Sequence, residues 1–255
     1  MLSLHVDDIL FAFKGNKIHD KVMSALRTCY KLVELGIPKS CLGMQFNIMP
    51  GRIDIDQEVY SEKILKTFKM EECQMVNTPM ETSFDKLSRD NDTEPPSNAP
   101  YMEASGCLLY LCQCTRPDLT YSVGILARYS SNPAERHWLA LKRVLRYLKG
   151  TKGYKLTFKA SRLHDNMNTL SGFCDSSWGD NVEDRTSTCG YIFKLNENPI
   201  SWQSKKQSSV ALSTCEAEYM ALTTGSQEAI WLSSLLQFIG VRYETPITIF
   251  EDNKG

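Results

Sequence analysis

The amino-acid sequence predicts an α+β fold, and changes in hydrophobic period predict it. In the first 80 residues, two-residue and helical spacing of apolar side chains alternate. The middle of the chain keeps helical spacing, and the period changes to two from about residue 168. Because period two is typical of strands and a period near 3.6 of helices, sheets flank a helical region. The 255 residues, 42% apolar and 23% charged, suffice for one large domain or two small ones.

The elements of the first 80 residues follow from short periodic runs separated by turn residues. Apolar residues alternate on either side of a Pro-Gly pair, which is typical of a hairpin. Helical spacing followed by glycine indicates a helix and its end. The predicted elements are a strand–turn–strand over 1–13, a helix over 20–35 ended by Gly36, a hairpin over 42–56 turning at Pro50-Gly51, and a helix over 60–70.

A polar segment separates this part from the helical region. Residues 81–100 contain five acids and three prolines and few apolar residues, which predicts a solvated linker or long loop. Three helices are predicted after it, over 101–114, 117–130 and 134–149. Pro117 suits the first position of the second helix, because that position needs no amide donor.

The C-terminal part is predicted to be a mixed α/β layer in the order β-β-β-α-β. Its strands alternate apolar and polar residues, and the intervening helix is long. The predicted elements are strands over 170–178, 189–195, 199–203 and 246–251 and a helix over 213–239.

Charge is segregated along the chain although the formal net charge is only -1. Residues 134–163 contain nine Lys or Arg and one acid, whereas residues 216–255 contain six acids and two bases. This segregation suits an enzyme whose basic segment binds phosphate groups and whose acidic segment binds metal. The nine cysteines lack zinc spacing, and with no signal peptide they indicate reduced, intracellular thiols. No stretch approaches transmembrane length.

Three acids of the C-terminal part are candidate metal ligands. Asp175 interrupts the first strand, Asp252 follows the last strand, and Glu218 lies near the start of the long helix. Ser213-Thr-Cys-Glu216 has the pattern of a capping box, so Glu216 is expected to turn back to the helix N-terminus and Glu218 to point at the sheet. Converging carboxylates favour Mg²⁺ or Mn²⁺, although each acid alone could be a solvated side chain.

A second acidic feature is the Asp7-Asp8 pair inside the apolar run of residues 4–10. Carboxylates are seldom buried without a cation, so the pair is costly in a core. One interpretation is a hairpin tip that holds magnesium, as in nucleotide polymerases. The other is a polar turn between two apolar segments.

An ordered set of short motifs through nearly the whole chain resembles the C-terminal part of the Pol polyprotein of copia-type LTR retrotransposons. Each motif is weak alone, and their order makes the set specific. They are His5-Val-Asp-Asp-Ile-Leu10, Gly36 with Leu42-Gly-Met44, Val76-Asn-Thr-Pro-Met80, Cys114-Thr-Arg-Pro-Asp-Leu119, His137-Trp138 with the run 141–151, Asp184-Arg-Thr-Ser-Thr-Cys-Gly-Tyr191, Ile200-Ser-Trp-Gln-Ser-Lys-Lys-Gln207 and Ser213-Thr-Cys-Glu-Ala-Glu-Tyr-Met-Ala221.

The resemblance implies a partial reverse-transcriptase palm and helical thumb/connection followed by a truncated RNase H-like α/β domain. The implied parts are the palm end and following region over 1–80, a linker over 81–100, the thumb/connection over 101–165 and the RNase H-like domain over 168–255. The RNase H acids carry over to Asp175, Glu218 and Asp252, and two polymerase carboxylates carry over to Asp7 and Asp8. His5 replaces the family's usual tyrosine.

The resemblance also implies nucleic-acid partners and no membrane partner. The implied location is intracellular, either in a cytoplasmic virus-like particle or in the nucleus. An RNA/DNA hybrid or other nucleic acid would contact basic side chains, although a solvated surface is the alternative for each. The candidates are Lys142, Arg146 and Lys149 on one helix face and Lys205-Lys206 before the long helix. Arg185 is predicted to form a structural ion pair. The rest of a Pol polyprotein is a further implied partner if the sequence is truncated.

Two functional hypotheses remain open. The first is a Pol polyprotein fragment, an RNA-directed DNA polymerase and ribonuclease H. Since the first polymerase aspartate falls outside the sequence, no polymerase activity is expected from this chain alone. The fourth RNase H acid also falls outside it, so the nuclease site keeps three carboxylates of four. The second is a non-catalytic retrotransposon remnant or a reused nucleic-acid-binding module. A phosphatase-like hydrolase on the same sheet is disfavoured by the helical region and the basic stretch.

Overall fold

The computed structural model describes residues 1–13, 15–81, 87, 98–160, 167–181 and 183–252, and its mixture of helices and strands confirms the α+β class. Within these residues the strands are β1 (Leu2–His5), β2 (Asp8–Phe11), β3 (Ser40–Cys41), β4 (Met44–Met49), β5 (Arg52–Asp56), β6 (Lys155–Lys159), β7 (Leu170–Ser177), β8 (Thr188–Leu195), β9 (Asn198–Lys206) and β10 (Thr248–Phe250). The helices are α1 (Asn16–Arg27), α2 (Glu58–Thr67), α3 (Tyr101–Cys114), α4 (Thr120–Ala127), α5 (Glu135–Gly150) and α6 (Thr214–Phe238).

The N-terminal hairpin confirms the predicted strand–turn–strand. Strands β1 and β2 pair antiparallel and put His5 opposite Asp8. The following helix α1 ends at Arg27, so the predicted extension to residue 35 is wrong. The Arg27 guanidinium bonds to Glu34 at 2.7 Å. The helix ends before Glu34, so this ion pair joins the last helical residue to the segment that follows the helix.

The predicted hairpin over 42–56 is present as β4 and β5, within a sheet of order β3-β4-β5-β6. Its last strand, β6, pairs antiparallel with β5. Residues 155–159 were predicted to belong to the helical region over 101–165, and that prediction is wrong because they form a strand. Five residues give too short a pattern to predict a strand whose partner lies about 100 positions away.

Helices α2 to α5 share one hydrophobic core. Its buried residues include Ile64 of α2, Leu108 of α3, Leu126 of α4 and Leu145 of α5. The three predicted helices are present, although a 3₁₀ turn that begins at Pro117 precedes α4. Most of the predicted linker over 81–100 lies outside the described residues.

The C-terminal part confirms the predicted β-β-β-α-β order. Strands β7, β8 and β9 pair antiparallel, and β10 lies parallel to β7, which gives the order β10-β7-β8-β9. Helix α6 packs on this sheet around a core that includes Leu170, Phe193 and Leu232. A Cβ built at Gly225 would lie 2.1 Å from the Cys174 Sγ, so glycine lets the helix approach the strand.

The C-terminal sheet also contacts helix α3 and strand β6. The Trp202 indole on β9 donates a hydrogen bond to the Cys112 carbonyl oxygen at 2.7 Å. Asn198, also on β9, accepts from the Lys159 amide at 2.8 Å. No helix among the described residues is long and apolar enough to cross a membrane.

Candidate metal centre

Two of the candidate ligands are brought together by a pair of parallel strands. Strand β10 pairs with β7 so that Phe250 lies opposite Phe173. Two residues further along each strand are Asp252 and Asp175, so the register places these acids side by side. Both side chains are exposed.

The third candidate ligand comes from the N-terminal part of α6. The Ser213 hydroxyl accepts from the Glu216 amide at 3.1 Å, and the Glu216 carboxylate accepts from the Leu212 amide at 2.7 Å. This confirms that Glu216 turns back to the helix N-terminus, although it bonds to Leu212 rather than to Ser213. Glu218 faces the sheet and is 9% exposed, as predicted.

The three acids converge. One carboxylate oxygen each of Asp175, Glu218 and Asp252 lies within 4.8 Å of the others. Burial raises the pKa of Glu218, the nearby carboxylates raise it further, and the Ser176 hydroxyl acts in the opposite direction. The buried Glu218 Oε2 has no hydrogen-bond partner among the described residues. Hard oxygen donors around an unpaired buried carboxylate match the preferences of Mg²⁺ or Mn²⁺.

The other predicted acid pair occupies the tip of the N-terminal hairpin. Asp7 lies in the turn after Val6, whose φ is 51°, and Asp8 begins β2. Both side chains are exposed. Among the described residues, the only group of three potential metal ligands is the cluster of Asp175, Glu218 and Asp252, so the structure does not bring a third ligand to this pair.

The three predicted contact residues of α5 are Lys142, Arg146 and Lys149, which are spaced to share one helix face. Two of them donate hydrogen bonds to backbone carbonyls of this chain. Arg146 donates to the Gln74 carbonyl at 2.7 Å, and the Lys149 ammonium donates to the Cys73 carbonyl at 2.8 Å. Lys142 lies over the Trp138 ring, 5.6 Å from its centroid.

The cations around the end of β9 differ in their partners. Lys205 is exposed, whereas Lys206 forms an ion pair with Asp184. Arg185 is exposed, and no ion pair joins it to any other described residue, so the predicted structural ion pair is not found. Its guanidinium instead lies beside Gly179.

Sequence reasoning missed one side chain near the centre. Trp178 comes three residues after Asp175, and its indole donates to the Ala211 carbonyl at 3.0 Å, just before α6 begins. A large aromatic residue at the end of the acid-bearing strand was the available signal.

Residues 1–82 match the reverse transcriptase (RNA-dependent DNA polymerase) family. The chain is 37% identical over 249 residues to a retrovirus-related Pol polyprotein from transposon TNT 1-94 of Nicotiana tabacum, which covers 94% of this chain and 18% of that protein. It is 30% identical over 228 residues to a putative transposon Ty5-1 protein of Saccharomyces cerevisiae, covering 86% of this chain and 70% of that protein.

A third relative matches part of the chain. A secreted RxLR effector protein of Plasmopara viticola is 50% identical over 136 residues, which are 53% of this chain and 93% of that protein. No solved structure matches. The family match at the N-terminus and the transposon relatives along most of the chain agree with the ordered motifs. The chain therefore belongs to the reverse-transcriptase-containing Pol polyproteins of copia-type LTR retrotransposons.

Proposed function

We propose that residues 168–252 form a ribonuclease H-like nuclease that hydrolyses the RNA strand of an RNA/DNA hybrid. The observation that carries this proposal is the convergence of Asp175, Glu218 and Asp252, which come from three separate elements. The parallel pairing of β10 with β7 supports it, because the register brings Asp175 and Asp252 side by side, and Glu218 of the long helix lies beside them.

The same residues fit a divalent cation. Glu218 contributes a nearly buried carboxylate whose Oε2 lacks a partner among the described residues, and the two aspartates contribute exposed oxygens beside it. Three neighbouring carboxylates repel one another, and a bound Mg²⁺ or Mn²⁺ would relieve that repulsion. Asp175, Glu218 and Asp252 would therefore be the ligands.

The chemistry divides between the ion and the chain. When bound, divalent ions activate a water molecule and stabilise the leaving oxygen of a phosphodiester. In the reaction the water oxygen bonds to phosphorus and gives up a proton to solvent, the bond between phosphorus and the ribose oxygen breaks, and that ribose oxygen takes up a proton from solvent. The chain's own contribution is to hold the three carboxylates, with Glu218 fixed by the capped start of α6.

The proposal extends to the reverse-transcriptase part. Asp7 and Asp8 would be two metal ligands of a polymerase site, and nucleic acid and the other parts of a Pol polyprotein would be the partners. Among the proposed contact residues, Lys142 and Lys205 have no hydrogen bond to the backbone in the described chain, whereas Arg146 and Lys149 do. Lys206 would have to exchange Asp184 for phosphate.

Hydrolysis of an end-labelled RNA/DNA hybrid with Mn²⁺ tests the nuclease proposal. Wild-type chain is expected to cleave the RNA strand, and Asp175→Asn and Glu218→Gln are expected to lose cleavage. Glu228→Gln is the matched control, since Glu228 lies on the same helix and accepts from the Ser201 hydroxyl at 2.6 Å.

The outcomes separate the two hypotheses. Cleavage that Asp175→Asn lacks and Glu228→Gln retains supports the nuclease. Hybrid binding without cleavage by the wild type would overturn it and favour the non-catalytic nucleic-acid-binding module. Equal cleavage by wild type and Asp175→Asn would point to a contaminating nuclease.

A further inference from the structure

Trp178 follows the strand that carries Asp175, three residues after that acid. Three residues span about 10 Å at most, which limits the separation of the Trp178 and Asp175 Cα atoms. The Nε1 bond to Ala211 anchors the polar edge of the indole beside the N-terminus of α6, whose second turn carries Glu218. The residue is nevertheless 50% exposed. A ring whose only polar group is satisfied internally offers its face to an external partner.

A cation lies beside the residue that follows Trp178. The Arg185 Nη2 would lie 3.4 Å from a Cβ built at Gly179, the residue that follows Trp178. Backbone hydrogen bonds hold the Arg185 position, because its amide donates to the Asn181 carbonyl at 2.8 Å and the Asn181 amide donates to Thr186 at 3.1 Å. No carboxylate among the described residues forms an ion pair with Arg185, so its charge is available to a ligand.

We propose that Trp178 and Arg185, here called the strand platform, contact one strand of the nucleic acid and position it over the carboxylate cluster. The proposal rests on the nuclease function proposed above. The indole would pack on a sugar or base, and the guanidinium would bind phosphate oxygens. Neither contact distinguishes one base sequence from another, so the platform would act on hybrids of any sequence.

Hybrid affinity measured by fluorescence anisotropy tests the platform. An Asp175→Asn background with Mg²⁺ keeps the RNA strand intact during the titration. In that background Trp178→Ala is expected to weaken binding by about 5- to 100-fold, and Trp178→Phe to restore most of the loss because it keeps an aromatic ring. Arg185→Gln is expected to reduce the slope of log Kd against log salt by about 0.9.

The chain offers a matched control for each residue. Trp231 is 56% exposed on α6, about 20 Å along the helix from Glu218, so Trp231→Ala is expected to leave affinity within twofold. Arg242 is exposed and lies near Asn168, at the opposite end of β7 from Asp175, so Arg242→Gln is expected to keep the salt slope. A second readout is the quenching of tryptophan fluorescence by hybrid in a Trp231→Phe variant, compared with the quenching that remains in a Trp178→Phe, Trp231→Phe double variant, so that the difference reports on Trp178.

Separate measurements distinguish the failure of this inference from that of the proposed function. Mn²⁺ affinity by calorimetry, without the background substitution, and thermal melting are expected to be unchanged in Trp178→Ala and Arg185→Gln. If both variants bind hybrid as tightly and with the same salt slope as their controls, the platform is overturned and the nuclease proposal stands. Loss of Mn²⁺ binding in Trp178→Ala would overturn the platform in favour of a structural role. A wild type that binds neither Mn²⁺ nor hybrid would overturn both proposals.

Discussion

Asp54 shows how a single buried carboxylate ties distant segments together. It is 1% exposed on β5, and it accepts from Arg52 at 2.7 and 2.9 Å, from Lys155 at 2.9 Å and from Thr157 at 2.8 Å. Two of these partners lie on β6, about 100 residues away in sequence. The hydrogen bonds from Arg52 lower the pKa of Asp54 below its ordinary value, with help from Lys155 and Thr157, although burial opposes them.

The lowered pKa of Asp54 predicts acid sensitivity. A carboxylate whose pKa is lower in the folded state stabilises the fold above its unfolded pKa of about 4 and loses that contribution as pH falls. Asp54→Asn is therefore expected to lower the melting temperature at pH 7 and to flatten its fall between pH 5 and pH 2. Thermal melts across pH check this, with the exposed Asp20→Asn as control. An unchanged slope in Asp54→Asn would contradict the prediction.

The pKa of Glu218 is shifted in the opposite direction from that of Asp54. Its carboxylate is nearly buried, its Oε2 is unpartnered among the described residues, and its pKa is raised by burial and by neighbouring acids. A group whose pKa is raised in the folded state favours the neutral form there. Its ionised form therefore destabilises the metal-free fold increasingly as pH rises.

Glu218→Gln is expected to stabilise the metal-free chain and to abolish stabilisation by Mn²⁺. With EDTA at pH 7, removing an unpaired buried charge is expected to raise the melting temperature by a few degrees. Mn²⁺ at 100 times its Kd would stabilise the wild type by about 2.7 kcal/mol, and the variant far less. Differential scanning calorimetry in EDTA and in Mn²⁺ checks both effects. A variant that melts lower in EDTA and keeps the Mn²⁺ response would exclude Glu218 as a ligand.

At the scale of elements, the packing of α6 on its sheet depends on small residues. The buried face of the helix includes Ala217, Ala221 and Gly225, which allow a close approach to β7. Gly225 is the tightest point, because Cys174 occupies the space that a Cβ would need. This approach also sets how near Glu218 comes to Asp175.

Gly225→Ala is expected to destabilise the fold by about 1–3 kcal/mol despite the better helix propensity of alanine. The cause is overlap with the Cys174 Sγ, since the next nearest atom, the Cys174 Cβ, would lie at 3.8 Å. Cys174→Ala should therefore rescue Gly225→Ala, and a double-mutant cycle from denaturant unfolding measures the coupling.

Gly106 provides the control for this cycle. It lies inside α3, and a Cβ there would have no atom within 4 Å. Gly106→Ala is expected to stabilise the chain by about 0.5–1 kcal/mol. If Gly225→Ala were as stabilising as Gly106→Ala, close packing of α6 would not govern the position of the helix.

At the scale of the whole molecule, the features that could be predicted from the sequence were those encoded by local patterns of residues. The cap at Ser213 and the inward direction of Glu218 followed from helix chemistry. The strands next to Asp175 and Asp252 followed from the two-residue alternation of apolar side chains. The β5–β6 pairing could not be predicted because it joins segments about 100 residues apart. The position of the Arg185 guanidinium beside Gly179 and the anchored ring of Trp178 likewise depend on loops that meet only in the folded chain.

Hydrogen bonds between side chains also join the helical part to the acid-bearing sheet. The Tyr121 hydroxyl donates to Asp180 at 3.2 Å, and the Thr188 hydroxyl donates to the other oxygen of the same carboxylate at 3.0 Å. Arg128, the residue after the end of α4, donates to Thr188 at 2.9 Å. Asp180 lies five residues beyond Asp175, so this network links α4 to the loop that follows the acid-bearing strand.

Breaking this hydrogen-bond network is expected to destabilise both α4 and the start of β8. Tyr121→Phe with Arg128→Ala removes two hydrogen bonds worth about 1 kcal/mol each, which lowers the melting temperature by roughly 4–8 °C. Hydrogen exchange should accelerate in α4 and at the start of β8, while β4 and β5 exchange as before. Tyr219→Phe is the control, because Tyr219 is exposed on α6. Faster exchange confined to α4 would show that the helical part and the sheet fold independently, whereas a parallel rise in both would show that the sheet carrying the carboxylate cluster depends on its contacts with α4.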